Sequence, residues 1–224
     1  MKRTLSIMFG VAAVMSVLSV GAVSLASPLT FTFQGQVSSI ISDDSSGTFG
    51  ANFAVGDSVS GSWTFDTTAT QHPLLSYASY YDATFNAMIS GKAFSGAAQY
   101  RIFDNSPGGD DGFSVINETG TYTAPALGPL TPRTFFVQFL GMPTTTLSDQ
   151  SLVTNPAGLF SLYNPSYAPH WLRLDNPDGT FGGLYFTISS VTPVPEPSTG
   201  LLLLAGLGGI VWAVRRKASE TVRA

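Results

Sequence analysis

The sequence predicts an all-β protein whose exported part is an antiparallel β-sandwich, with a jelly-roll variant of the sandwich as the alternative. Three observations favour this fold class. Apolar and polar residues alternate with a period of two in several short stretches, and turn-forming clusters of Gly, Pro, Asn, Asp and Ser separate them. Residues 27–193 contain no apolar pattern of helical period and useful length. Uncharged apolar runs at both chain ends add an N-terminal signal helix and a C-terminal transmembrane helix.

The N-terminus has the three parts of a secretory signal peptide. Two basic residues follow Met1, an apolar run covers residues 5–23, and Ser24 and Ala26 offer small side chains at the two positions that signal peptidase reads. Cleavage after Ala26 is therefore expected, which makes residues 1–26 the signal peptide. Because the apolar run is long for a signal peptide, an uncleaved N-terminal anchor is the alternative.

Residues 27–193 then form one exported domain of about 167 residues, long enough for a sizeable core. The domain has four basic and twelve acidic side chains, so its net charge is about −8. Such a surface argues against nucleic acid or anionic lipid as a partner of the domain and is compatible with cations. The chain has no cysteine, so the core rather than disulfides must stabilise the domain.

Six stretches of the exported domain are predicted to be strands. In residues 58–65, Val59, Trp63 and Phe65 share one face of an extended chain, while serines and a threonine share the other. Residues 133–140 carry apolar side chains on both faces, which predicts a strand buried on both sides. The remaining predicted strands cover residues 30–33, 81–89, 113–115 and 184–191, and turn clusters cover residues 42–47, 105–112 and 176–179.

The C-terminal segment, residues 194–217, has an extended start and an apolar middle. Pro195 and Pro197 fix their own φ angles and disfavour helix at the residue before each, so a helix begins only after them. As a helix, residues 199–214 span about 24 Å, somewhat less than a hydrocarbon core of about 30 Å.

The segment ends on three cations, Arg215, Arg216 and Lys217. Snorkelling of these side chains and an interfacial Trp212 would close the gap in length. By the positive-inside rule the cations form the cytoplasmic stop, and residues 218–224 form a short cytoplasmic tail.

This order of parts resembles the PEP-CTERM sorting signal of Gram-negative bacteria, in which a Pro-Glu-Pro motif, a short transmembrane helix and an arginine-rich end follow one another. The resemblance assigns recognition to Pro195, Glu196 and Pro197. It implies as partner an exosortase, a membrane-embedded relative of cysteine proteases that cuts near the motif and passes the protein onward. The tail departs from the pattern, because many members end almost directly after the cations. An ordinary single-pass anchor after a proline linker is the alternative.

Localisation follows from the same resemblance. After signal peptidase has acted, the inner membrane would hold the protein until processing, and the cell surface or the extracellular polysaccharide matrix would then receive it. Residues 35–66, where a Val-Gly-Asp turn leads into a strand with Gly61 and a closing Asp66, are similar to the opening of a β-rich domain common among exported proteins with this signal. That similarity implies an architecture rather than an activity.

The sequence offers little for catalysis. His72 and His170 are its two histidines, and neither lies in a zinc-binding spacing or beside a nucleophile motif. Glu118 is the one glutamate of the exported domain, whereas a glycosidase needs two carboxylates, usually with at least one glutamate. We therefore expect a protein that is not an enzyme, with a hydrolase as the least favoured alternative.

A calcium site is the first binding hypothesis. Asp104, Asn105, Asp110 and Asp111 lie in and beside a glycine-rich loop, and hard cations prefer such oxygen ligands. The spacing is not that of an EF-hand. The alternative is a hairpin loop in which these residue types are chosen for turn geometry. Apart from calcium, no cofactor is expected.

A glycan site is the second binding hypothesis. Tyr163, Tyr167, His170 and Trp171 form an aromatic segment whose rings, Trp171 above all, suit stacking on sugar rings. The alternative is a loop that packs over one end of the sandwich.

Together these features predict a non-enzymatic exported protein with a structural or adhesive role. A glycan-binding or calcium-stabilised module, with exopolysaccharide as a partner, is the alternative.

Overall fold

The structure, a computed structural model, describes residues 28–42, 44–166 and 169–195. Several predictions lie outside these ranges: the signal peptide with Ala26, the motif residues Glu196 and Pro197, the transmembrane helix, the cations 215–217 and the tail 218–224. Within the described residues, no helix has the length and apolar character that crossing a membrane requires.

Strands make up most of the described chain, as the sequence predicts. Their bounds are β1 (Pro28–Ser42), β2 (Ser58–Asp66), β3 (His72–Leu75), β4 (Ala78–Ile89), β5 (Lys92–Phe103), β6 (Asp111–Asn117), β7 (Tyr122–Thr123), β8 (Thr131–Met142), β9 (His170–Asp175) and β10 (Phe181–Pro193). Two short helices accompany them: α1 (Thr48–Asn52) and α2 (Pro156–Leu159), the second of which runs into a 3₁₀ turn (Phe160–Leu162).

The strands form one closed antiparallel barrel and not the predicted sandwich. Eight strands pair in the order β1, β2, β4, β5, β6, β8, β9 and β10, and β10 pairs back with β1. The short strands β3 and β7 pair beside β4 and β5. Apart from the pair of β1 with β10, each barrel strand follows its neighbour along the chain. The sandwich prediction was wrong because alternation marks an inner and an outer face equally well in either architecture.

A tight turn connects the two strands of the longest hairpin of the barrel. Ser90 and Gly91 connect β4 to β5, and both have positive φ, 51° and 73°. Two successive positive φ angles are typical of the type I′ turn, whose twist matches that of paired strands. The two strands consequently stay paired from Ile89 opposite Lys92 to Ala78 opposite Phe103.

Aromatic side chains fill the interior of the barrel. An eight-stranded barrel encloses a space that side chains alone can fill. Phe85 stacks on Phe135 with ring centroids 4.4 Å apart, and Phe65 stacks on Tyr100 at 4.6 Å. Other fully buried rings are those of Phe33, Trp63, Phe94, Phe113, Phe139 and Phe186.

The inward face predicted for β2 is confirmed, whereas the prediction that residues 133–140 form a strand buried on both sides is wrong. Phe135, Val137 and Phe139 of β8 are buried, while Phe136 and Leu140 face outward and are half-buried, so β8 is only partly covered on its outer side.

Separate segments close the two ends of the barrel. We call the end where β1 begins and β10 ends the terminal pole, and the other end the distal pole. At the distal pole α1 places Phe49 against Gly182 of β10. At the terminal pole the connection from β8 to β9 packs over the core, and inward tyrosines bind it: Tyr81 Oη donates to the Gln150 carbonyl (3.0 Å), and Tyr100 Oη donates to the Val153 carbonyl (3.1 Å).

Candidate functional site

The pair of β1 with β10, which closes the barrel, ends at the start of the predicted sorting segment. We call this pair the closing seam. At the terminal pole Phe31 pairs with Pro193 and Thr32 with Thr192. The two threonine hydroxyls lie 2.8 Å apart on the outer face. The last strand therefore remains paired up to the residue before the predicted segment.

One further bond extends the closing seam into that segment. Val194 N–H donates to the Thr30 carbonyl at 2.8 Å, while the Val194 side chain is exposed. Pro195 follows directly and is exposed as well. Only one residue thus separates β10 from the Pro-Glu-Pro sequence.

Comparison with protein families identifies this junction. A family model described as the PEP-CTERM protein-sorting motif matches residues 193–217, beginning at the last residue of β10. The protein carries a PEP-CTERM sorting domain. Neither a curated protein nor a solved structure matches the chain. The PEP-CTERM motif implies exosortase-dependent sorting of an exported protein toward the cell envelope or surface.

The fold brings the start of β1 close to the beginning of the PEP-CTERM motif. β1 begins at Pro28, two residues after the predicted cleavage site, and β10 ends at Pro193 on the neighbouring strand. Both chain ends therefore leave the barrel at the terminal pole.

Trp171, the predicted glycan-binding residue, lies in a row of aromatic side chains on the outer face. The strand register places Phe136 of β8, Trp171 of β9 and Tyr185 of β10 next to one another. All three are half-buried, and the rings of Trp171 and Tyr185 lie 4.6 Å apart at an angle of 49°. We call Phe136, Trp171 and Tyr185 the aromatic row.

Polar groups surround the aromatic row. Trp171 Nε1–H donates to Thr134 Oγ1 at 3.0 Å, which fixes the edge of the indole. Gln138 and Pro169 complete the lining of a shallow depression of about 230 Å³ over the rings. Such a surface offers apolar faces together with hydrogen-bonding groups, the combination that suits a sugar ring.

Arg173 lies two residues from Trp171 on the same face of β9. Its guanidinium lies 4.2 Å from the ring centre of Phe181, and its Nε bonds Asp175 Oδ1 at 2.6 Å. Asp175 also lies 3.6 Å from Arg133 Nε. Two of the four basic side chains of the exported domain therefore lie near Asp175.

The remaining aromatic residues of the predicted glycan segment have other roles. Tyr163 packs over the terminal pole, where its ring contacts Phe139, and His170 points into the barrel with 3% exposure. Tyr163 therefore fits the alternative of a packed loop, whereas His170 belongs to β9 and Tyr167 lies outside the described residues.

The carboxylates of the predicted calcium loop accept hydrogen bonds from the surrounding chain. Asp111 is fully buried, and its two oxygens accept from Asn105 N–H (2.9 Å) and Leu147 N–H (2.8 Å). Asp110 accepts from Gly141 N–H (2.9 Å) and from the Ser106 hydroxyl. These bonds hold the loop against β8 and the connection that follows it.

Asp104, the third predicted ligand, bonds the side chain of Asn105 instead (2.7 Å). Across the described ranges no three His, Cys, Asp or Glu side chains come together in a way that could hold a metal ion. The calcium site thus remains a prediction, and hydrogen bonding to the backbone is the use that the geometry supports.

The two histidines differ in burial and in their contacts. His170 Nδ1 accepts the backbone N–H of Gln138 at 3.0 Å, and burial lowers the pKa of His170 to about 3. His72 lies on the surface, where its ring stacks on Tyr80 at 4.8 Å and its Nε2 lies 3.9 Å from Asp82. The buried histidine is therefore a neutral part of the core at neutral pH.

Phe136 and Tyr185 are the members of the aromatic row that sequence reasoning missed as site residues. Both alternate with buried residues in predicted strands, so their outward orientation was predictable. Their position beside Trp171 depends on the register of β9, which was not recognised as a strand.

Proposed function

We propose that the exported domain has a non-enzymatic, structural or adhesive role at the cell surface or in the extracellular polysaccharide matrix. The observation that carries this proposal is a closed barrel attached directly to a PEP-CTERM motif. The outer face of such a barrel is the surface that meets the surroundings.

The filled interior supports a role that uses the outer surface. Many barrels that bind small molecules do so in their interior or at its mouth. Here Trp63, Phe85 and Phe139 occupy the interior, and segments cover both poles. Any partner of the described domain therefore has to bind outside.

Glycan binding through the aromatic row is the second candidate function. Its support is the row itself, because three neighbouring half-buried rings with polar groups at their edges match the apolar face and hydroxyl groups of a polysaccharide. Trp171 lies at the centre of the row.

Co-sedimentation with polysaccharide tests both candidates. The full-length chain in detergent is mixed with insoluble exopolysaccharide isolated from the producing cells. If the row binds glycan, Trp171→Ala weakens binding about tenfold, the loss expected for one stacking contact. Tyr80→Ala is the matched control, because Tyr80 is an outer-face aromatic residue away from the row.

The outcomes separate the candidates. Binding that depends on Trp171 supports the glycan module. Binding that survives Trp171→Ala and Tyr185→Ala supports an adhesive role of another surface and rejects the row. Absence of binding by the unmodified chain rejects both the adhesive role and the glycan module.

A further inference from the structure

The distance between the barrel and the PEP-CTERM motif is too short for an enzyme to reach the motif freely. Val194 and Pro195 are the two residues between β10 and Glu196, and two extended residues span about 7 Å. Pro195 also has a fixed φ angle, which limits how far the chain can bend away. A stable protein–protein contact covers about 800 Å² on each partner. An enzyme that bound the motif with a contact of that size would therefore also meet the barrel.

The backbone in front of the motif is also engaged in the closing seam. Val194 N–H donates to the Thr30 carbonyl, Thr192 pairs with Thr32, and Val191 pairs with Phe33. Proteases commonly bind substrates as extended chains through the same backbone groups. A residue held by β1 cannot offer those groups to an enzyme at the same time.

Side chains reinforce this end of the closing seam. Thr32 Oγ1 lies 2.8 Å from Thr192 Oγ1 and 3.3 Å from the Thr192 carbonyl. Val191, Phe31 and Phe33 are buried in the core. Phe31 and Phe33 of β1 also pair with β2, whereas β10 pairs with β9 only as far as Phe186. The last residues of β10 are therefore paired with β1 alone and are the ones that can separate.

We propose that the closing seam gates exosortase processing: the last residues of β10, Val191 to Val194, must separate from β1 before the enzyme can engage the motif. This inference rests on the exosortase-dependent sorting described above. Separation of these residues is local, because it leaves the other seven pairs of neighbouring barrel strands intact. The stability of the closing seam then sets the rate at which the folded protein is processed.

A disulfide across the closing seam tests the gate. Thr32→Cys with Thr192→Cys places two thiols at a directly paired position where the hydroxyls are already 2.8 Å apart, and the chain contains no other cysteine. The full-length chain is expressed in cells with the cognate exosortase, and mass spectrometry follows the loss of residues 198–224 over time. The disulfide form is expected to be processed at least about tenfold more slowly than either single-cysteine variant. Reductant is expected to restore the rate.

Two further variants separate a gate from a misfolded barrel. Insertion of Gly-Ser-Gly-Ser between Pro193 and Val194 moves the motif away from the closing seam, so it is expected to restore processing of the disulfide form. Val194→Pro removes the N–H that bonds Thr30 and is expected to speed processing about fivefold, the effect of one backbone hydrogen bond. Val194→Ala keeps that N–H and is the matched control.

Two results would overturn the proposal, and they differ in what else they affect. If the disulfide form is processed as fast as the unmodified chain, the enzyme accommodates the closed seam and the gate alone fails. If the unmodified chain keeps residues 198–224, exosortase processing itself fails together with the gate.

Discussion

His170 and Trp171 are adjacent in the sequence and lie on opposite faces of β9. His170 points into the barrel, where its ring stacks on that of Phe186 with centroids 5.3 Å apart. Burial disfavours the charged imidazolium and so lowers the pKa of His170 to about 3. Trp171 points outward into the aromatic row. Burial, more than residue type, therefore decides which of the two side chains can meet a partner.

The lowered pKa of His170 predicts a loss of stability in mild acid. A histidine in the unfolded chain has a pKa of about 6.5, so below that pH the unfolded state takes up a proton that the folded state does not. The contribution of His170 to the free energy of unfolding is therefore largest above pH 6.5. It falls as the pH drops from about 6.5 toward 3, with a slope that approaches about 1.4 kcal/mol per pH unit.

Urea unfolding of the full-length chain at pH 7, 6, 5 and 4 measures this loss, with His170→Asn as the comparison. Asparagine keeps an acceptor for Gln138 N–H and does not titrate. Burial alone would raise the pKa of Asp44, but hydrogen bonds from Phe49 and Ser46 lower it to about 2, so its effect on stability lies mainly below pH 4 and is present in both proteins. Equal pH dependence in the two proteins would contradict the account of His170.

At the scale of elements, α1 closes the distal pole by placing one ring against the barrel wall. Phe49 is fully buried and stacks obliquely on Phe53 with ring centroids 4.7 Å apart. Gly182 of β10 makes room for Phe49, because a Cβ at position 182 would lie 2.1 Å from Cδ2 of that ring. The ring of Phe49 therefore fits against β10 only because position 182 has no side chain.

Gly182→Ala is expected to displace Phe49 and to lower the free energy of unfolding by about 1–3 kcal/mol, the usual cost of overpacking a core. The control is Gly50→Ala, where a Cβ meets nothing within 4 Å and the helix α1 gains a better helix former. Urea unfolding compares the two variants with the unmodified chain. A loss for Gly50→Ala equal to that for Gly182→Ala would show that Phe49 is not the reason.

Local patterns predicted six of the barrel strands but missed two. β5 reads Lys-Ala-Phe-Ser-Gly-Ala-Ala-Gln-Tyr-Arg-Ile-Phe, where small residues at both parities weaken the alternation. β9 follows a proline-rich aromatic segment that favours a loop. The sequence therefore predicts that His170 and Trp171 belong to one aromatic segment and not to a strand. The pairing that places Trp171 between Phe136 and Tyr185 depends on tertiary register, which no local pattern contains.

At the scale of the whole molecule, one long-range pairing determines the architecture. Barrel strands pair with their neighbours along the chain, which alternation and turns favour in either a sandwich or a barrel. Closure requires β1 to pair with β10 about 150 residues later in the sequence. The sequence patterns do not contain that pairing, and so the sandwich was predicted. The PEP-CTERM motif, in contrast, is a contiguous signal and was predictable from its residues alone.

The closing seam connects the architecture to sorting. It joins the first strand after the predicted signal peptide to the last strand before the PEP-CTERM motif, so the predicted signal-peptide cleavage and the processing at the motif would both concern one pole of the barrel. The outer face, including the aromatic row, is then free to meet the surroundings once the protein has been delivered.

Intact-mass measurement of the protein recovered from the cell-surface and matrix fractions tests the central claim, an exported barrel processed at its terminal pole. The expected protein begins at residue 27 and lacks the segment beyond Pro197. Replacement of Pro195, Glu196 and Pro197 by alanine is expected to keep the uncleaved protein in the inner membrane. Recovery of unmodified protein from the matrix with a C-terminus that still extends to Ala224 would contradict the claim.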